Sequence, residues 1–379
     1  MIKKWLVILT ILLASIHLVL MLTHKEFIYK ALIYNYPDIN DQNIFYTRIA
    51  KHAATPEPWP LSKSRIIALP DSLQKTLADL ESTALLIIQN DSIVYEDYYA
   101  DGSDTTHSGS FSVAKSYVGT LIGIAIDKGY IKSIDEPIAS YLPDFKIGGK
   151  EKITIRHCLM MSSGLDWDEA YASAFSVTTE AYYGTDLKET VSRLKVVKEP
   201  GKYFCYKSGD TQILSLVLAN ATGKSTTQFM QDELWSKIGT ESDAWWSLDD
   251  KDGIEKAYCC IYSTARDFAR LGKLYLNNGK WKNTQIVSKA YVDLALTPNL
   301  LLDKETLKPT QTYGLQWWIY PNRFNEKVYY ARGILGQYII MIPEKNMIIV
   351  RLGHKRGEKI GKHPLEFLQL VDFAIQASL

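Results

Sequence analysis

Phe111-Ser112-Val113-Ala114-Lys115-Ser-Tyr-Val-Gly-Thr-Leu-Ile-Gly-Ile-Ala-Ile-Asp-Lys-Gly129 is the stretch whose reading decides the fold. It is apolar over helical length and is closed by Gly129, a residue suited to a helix end. Apolar residues fall on every side of it, so the helix belongs at the centre of a domain. A lysine near the start of so apolar a helix has to be explained. Ser112 lies three residues before Lys115, and residues three apart share a helix face, so hydroxyl and amine can touch. Serine is a weak nucleophile without a base. Burial disfavours the charged form of lysine and would turn Lys115 into one. The first turn of a helix also offers an N–H group to a developing oxyanion.

Ser-x-x-Lys recurs at Ser72–Lys75 and Ser192–Lys195, but there in charged, surface-type sequence that reads as two solvated side chains. Ser112 differs by its setting. Upstream, residues 84–88 and 93–98 are β-rich runs around Gln-Asn-Asp-Ser, a hairpin signal. A polar Gly/Ser/Asp/Thr loop, 101–109, then leads into the helix. Residues 130–300 read as helical segments and loops with no strand alternation of any length. Strand character returns at 328–331, 337–342 and 347–352, and a last amphipathic helix is expected from Pro364. The expected fold is α+β: an antiparallel sheet built from both chain ends and flanked by helices, with a mostly helical subdomain inserted at 130–300.

Two further segments carry candidate chemistry. Tyr206-Lys207-Ser208 holds a phenol able to act as general acid or base. Alone the triplet is weak, because Tyr171, Tyr275 and Tyr320 begin similar ones that read as packing. Gly333-Ile334-Leu335-Gly336-Gln337 reads as a turn at a strand, where glycines permit close approach and a backbone N–H could complete an oxyanion hole. In isolation it is only a turn. The acidic-aromatic stretch 166–186 reads equally as a surface loop or as a cleft overhang binding substrate through Asp168, Glu169, Tyr182 or Tyr183. His354 is a lone histidine, more in keeping with a structural role.

Met1-Ile-Lys3-Lys4 precedes an uncharged apolar run over 5–22, near the lower length limit for a bilayer span. The leading lysines favour a cytoplasmic N-terminus. No small-residue cleavage site follows the run, so an anchor is favoured over a cleaved signal peptide. The expected organisation is a membrane segment (1–23), a stalk or proline-containing linker (24–65) and a catalytic domain (66–379), placed outside the cytoplasm at the cell envelope. With 379 residues, 46% hydrophobic, the chain can bury a large core. A net charge of +1 argues against nucleic acid as partner. The four cysteines form no metal-binding spacing, and adjacent Cys259 and Cys260 are a poor geometry for a bridge, so all four are expected as small buried hydrophobes, with a disulfide between distant members left open. No cofactor or metal is expected.

In this order the motifs resemble the β-lactamase/transpeptidase-like serine hydrolases related to class C β-lactamases. Residues 154–165 are similar to the family's TIRHLLTHTSGL segment. Residues 200–210, 261–270 and 313–318 are similar to its tyrosine motif, its Ser-Thr-Ala-x-Asp segment and its Tyr-Gly-x-x-Trp-Trp segment. The resemblance covers roughly 80–355. It implies Ser112 as the acylated nucleophile, Lys115 as its base, Tyr206 as the partner tyrosine and Ser208 at the Asn/Ser position. Gly333, Ile334, Gly336 and Gln337 match the third motif. No Lys-Thr-Gly stands there, which speaks against strong penicillin hydrolysis. The run is more similar to the 6-aminohexanoate-dimer hydrolase and carboxylesterase branch, in which the N–H of Ile334 would serve the oxyanion; Gln337 is the other candidate. The implied function is cleavage of a small ester or amide. A penicillin-binding-type D-Ala peptidase, a cell-wall amide hydrolase or a β-lactamase is the second reading. An inactive binding or sensory relative is the third.

Overall fold

Three inner strands, Ser82–Gln89, Gln337–Ile342 and Met347–Gly353, are buried along nearly their whole length, as strands covered on both faces must be. In the computed structural model, which describes residues 2–66, 68–321, 326–361 and 363–376, six antiparallel strands form one sheet. Its order is Trp318–Pro321, Lys327–Gly333, Gln337–Ile342, Met347–Gly353, Ser82–Gln89 and Ser92–Tyr98. The two chain ends meet where Met347–Gly353 pairs with Ser82–Gln89, so the expected sheet forms from both termini. The hairpin turn between the first two strands in sequence is Asn90-Asp91, both with positive φ, which their short polar side chains tolerate. Alternation then sorts the faces. Leu85, Ile87, Ile340 and Ile349 pack with Phe367, Leu370 and Val371 of the closing helix Leu365–Gln376; Leu86, Ile88, Ile339 and Ile348 face the larger core.

At the centre of that larger core runs the helix Ala114–Asp127, with Ala114 through Ala125 all buried. It packs on the helix Ser208–Thr222, itself buried from Ser208 to Leu218.

Two expectations are corrected. The region 130–300 is not free of strands. Ala244–Ser247 and Ile261–Ser263 pair, and Thr47–Ala50 and Ser108–Gly109 join them in a second, four-stranded sheet. Each of these strands is two to four residues long, too short to show a period in sequence. Nor does 24–65 stand off as a stalk. Phe27, Ile28 and Ala31 of the helix Phe27–Tyr34 are buried in the main core, Thr47–Ala50 is a sheet strand, and Trp59 is buried beside Arg270. The apolar helix Ile2–Leu22 has no buried residue and is long and apolar enough to cross a membrane.

Candidate active site

Backbone geometry delivers Ser112 to the surface of the core. Ser108–Gly109 pairs with Ile261–Ser263, and the Ser110 N–H donates to the Ile261 carbonyl at 2.8 Å. Phe111 then turns into the left-handed region (φ 45°), a conformation rarely held without tertiary support, and one 3-10 turn carries Ser112 into the central helix. The support comes from Gly333, at the end of its strand. A Cβ added there would lie 2.3 Å from the Ser110 carbonyl oxygen and 3.1 Å from the Phe111 Cβ. The third motif is therefore pressed onto the turn that presents Ser112.

Lys115 is 1% exposed, with Nζ 2.8 Å from Ser112 Oγ and 2.8 Å from the Tyr258 carbonyl. Its Nζ lies 5.2 Å from the Tyr206 ring centre and 5.5 Å from that of Tyr258. Burial drives its pKa down to about 7, opposed by the negative charge of Glu169. A neutral amine here donates to the Tyr258 carbonyl and keeps its lone pair for the Ser112 hydroxyl. Tyr206 reaches the same spot from the segment before Ser208–Thr222, held by Trp318 (ring centres 5.2 Å apart) and Tyr313. Burial raises its pKa, opposed by a hydrogen bond with Ser112, so the phenol rests protonated. The backbone at Lys207 is extended (φ −145°, ψ 126°), and side chains alternate there. Tyr206 and Ser208 accordingly face the cleft, while Lys207 turns away to the Leu165 carbonyl.

The remaining candidates divide. Ile334 lines both hollows that contain Ser112: a crevice of about 30 Å³, walled also by Phe111, Tyr258 and Cys259, and a wider cleft of about 620 Å³. Gln337 and Gly336 line neither. Gln337 is fully buried, its amide bonded to both backbone groups of Gly353, and Gly336 (φ 85°) leaves room for Arg351. Tyr182 and Tyr183 wall the crevice from the helix Val177–Tyr183. The Tyr182 hydroxyl donates to Asp41 at 2.6 Å, and Tyr183 stacks on Tyr34. Asp168 is exposed and lines an outer part of the cleft without Ser112. Its neighbour Glu169 stands beside Ser112, accepting from the Ser208 N–H and the Tyr171 hydroxyl. His354 bridges Asp38 (3.3 Å) and Asp101 (3.2 Å). Among the described residues, no group of three or more His, Cys, Asp or Glu could hold a metal.

Three features escaped the sequence reading. Cys259 and Cys260 are joined by a disulfide, contrary to expectation. The left-handed Cys260 backbone (φ 72°) accommodates the bridge. Arg332 lies over the Trp318 ring at 4.0 Å and lines the cleft with Lys355, Arg356 and Lys359. The site is thus rich in positive charge despite having no Lys-Thr-Gly. Arg332 stands at the end of the strand Lys327–Gly333, two residues before Ile334. Finally, Asn35 and Pro37 wall the crevice and Tyr36 the cleft. No local pattern announces a contact between segments so far apart in sequence.

Residues 71–370 match the family model described as Beta-lactamase. The chain is 27% identical over 315 residues to the 6-aminohexanoate-dimer hydrolase of Paenarthrobacter ureafaciens, covering 79% of each protein. A Bacillus anthracis structure with a 6-aminohexanoate-dimer hydrolase designation superposes with a TM-score of 0.76 at 22% identity, over 91% of this chain and 92% of that one. A family VIII carboxylesterase superposes with a TM-score of 0.65 at 16% identity, over 81% and 95%. At those identities the two structures speak for the fold alone.

Proposed function

The chain belongs to the Beta-lactamase family, and from that premise we propose that it is a serine hydrolase cleaving a small ester or amide through an acyl-enzyme on Ser112. The observation that carries this reading is the 2.8 Å contact between Lys115 Nζ and Ser112 Oγ, at a place where burial holds the amine at a pKa of about 7. Lys115 takes the Ser112 proton as Oγ bonds to the carbonyl carbon. The N–H groups of Ser112 and Ile334 receive the oxyanion. The Tyr206 phenol gives its proton to the leaving oxygen or nitrogen and regains one from the Lys115 ammonium. Water then attacks the acyl-enzyme, releasing the carboxylic acid and restoring Ser112. Tyr206 is assigned as proton relay rather than resting base, because its environment holds the phenol protonated. Ser208 and Glu169 position the cleft wall opposite. The apolar helix Ile2–Leu22 is assigned as an anchor, with the hydrolase domain outside the cytoplasm.

A second reading, a penicillin-binding-type peptidase or β-lactamase, is favoured by one observation, the positive charge that Arg332 brings into the cleft. A fluorophosphonate probe, an aryl ester and a labelled penicillin separate the readings. The first predicts Ser112-dependent labelling and ester turnover without stable penicilloylation. Penicillin acylation of Ser112 in preference to ester turnover gives the second. A folded protein that no probe labels, or a Ser112→Ala variant that keeps its activity, ends the serine-hydrolase assignment.

A further inference from the structure

Asn35, Tyr36 and Pro37 wall the Ser112 hollows and directly follow the helix Phe27–Tyr34, the next element after the apolar helix Ile2–Leu22 assigned above as an anchor. The apolar helix ends at Leu22, and Phe27–Tyr34 begins shortly after it. The joint is folded tightly: the Lys25 N–H donates to Leu20 and the Ile28 N–H to Lys25. Even fully stretched, five linking steps and one eight-residue helix would put Asn35 within about 30 Å of the end of the membrane span. This segment cannot swing free. Phe27, Ile28 and Ala31 are buried in the core, the Gly109 N–H donates to the Ile39 carbonyl at 2.9 Å, and Tyr182 bonds Asp41. The helix Phe27–Tyr34 turns its other face outward, with Leu32 69% and Ile33 74% exposed. Phe175, 75% exposed, stands at the same groove as Thr23–Phe27 and Lys30. Exposed apolar side chains on a helix tethered a few residues after a membrane anchor can lie in the interface with lipid.

On the reading that Ser112 is the nucleophile, we infer that its cleft opens at the bilayer surface and takes an anionic amphiphile from the membrane: an acyl ester or amide with a phosphate or carboxylate head group. Asn35, Tyr36 and Pro37 carry the mouth to the interface. Arg332, Arg356 and Lys359 line the cleft beside Ser112 and supply the head-group charge, balanced within that cleft by Glu169, while Lys355 at the same wall is paired with Glu81. They crowd one another closely enough that Arg356 and Arg332, after desolvation, hold down the Lys359 pKa. In the reaction, the acyl C–O bond breaks as the Ser112 Oγ–acyl bond forms, the protonated alcohol leaves, and water releases the fatty acid.

The test uses the full-length protein in phosphatidylcholine vesicles, with palmitoyl-lysophosphatidylglycerol, palmitoyl-lysophosphatidylcholine and the soluble ester p-nitrophenyl butyrate. Turnover of the anionic lipid should exceed that of the zwitterionic one about tenfold, and Arg356→Glu should erase the preference. Leu32→Ser with Ile33→Ser should cut lysophosphatidylglycerol turnover at least tenfold and leave the butyrate rate unchanged. Butyrate hydrolysis with no lysophosphatidylglycerol turnover, or equal lipid rates in wild type and the double variant, overturns the membrane inference and leaves the serine-hydrolase reading standing. No hydrolysis of any ester, with no fluorophosphonate labelling, overturns both.

Discussion

Removing the charge of Glu169 should make the enzyme work at lower pH. With neutral Lys115 as the proposed base, kcat/KM for a non-titrating ester should follow the fraction of uncharged amine. With the pKa at about 7, half the enzyme is competent at pH 7, and about one tenth at pH 6. An ordinary lysine at 10.5 would be neutral in only about one molecule in three thousand at pH 7. Burial supplies this advantage, and the negative charge of Glu169 works against it by favouring the ammonium. In Glu169→Gln the carbonyl oxygen can still accept from the Ser208 N–H, but the charge is gone. The acid limb should therefore move to lower pH, and the variant should keep more than a tenth of its own plateau rate at pH 6. The assay is kcat/KM for p-nitrophenyl butyrate from pH 5 to 9, in wild type and Glu169→Gln. Tyr206, held up by burial, adds no inflection in that range. A flat wild-type profile, or a Glu169→Gln limb displaced to higher pH, would refute Lys115 as the base.

Lys115→Met should stabilise the protein at neutral pH while abolishing activity. The folded pKa lies below the unfolded one, so the unfolded chain binds the extra proton between about pH 7 and 10, and wild-type stability rises with pH across that window. At pH 7 keeping the amine neutral costs about 4 kcal/mol, against roughly 1–3 kcal/mol for leaving the Tyr258 carbonyl without its donor. Thermal melts should show a net gain at pH 7 that shrinks toward pH 10. Gly333→Ala forces a Cβ into the Ser110 carbonyl, so ester kcat/KM should fall about 100-fold, read on protein with an unchanged circular dichroism spectrum. Denatured, unreduced protein should titrate two thiols, Cys158 and Cys205, and four after reduction; four without reductant would contradict the Cys259–Cys260 bridge.

Local geometry was legible in the sequence because it repeats with a fixed period. Ser112 and Lys115 share a face in any helix, and the apolar residues around them require that helix to be buried, which is what makes the lysine unusual. The hairpin 82–98 and the C-terminal strands follow from β-rich runs and turn residues, and a chain with strands at both ends and helices between has few ways to close an antiparallel sheet. What joins distant segments was not legible. The Tyr258 carbonyl on Lys115, the two- to four-residue strands of the second sheet, Arg332 over Trp318, and Glu169 rather than Asp168 beside Ser112 depend on how the core packs. The same holds for residues 35–37. They read as a stalk because nothing in their own composition asks for burial, and only the docking of Phe27, Ile28 and Ala31 into the core brings them to Ser112. Period and composition act over a few neighbouring residues, whereas a site assembled from several distant chain segments exists only once packing has set the distances between them.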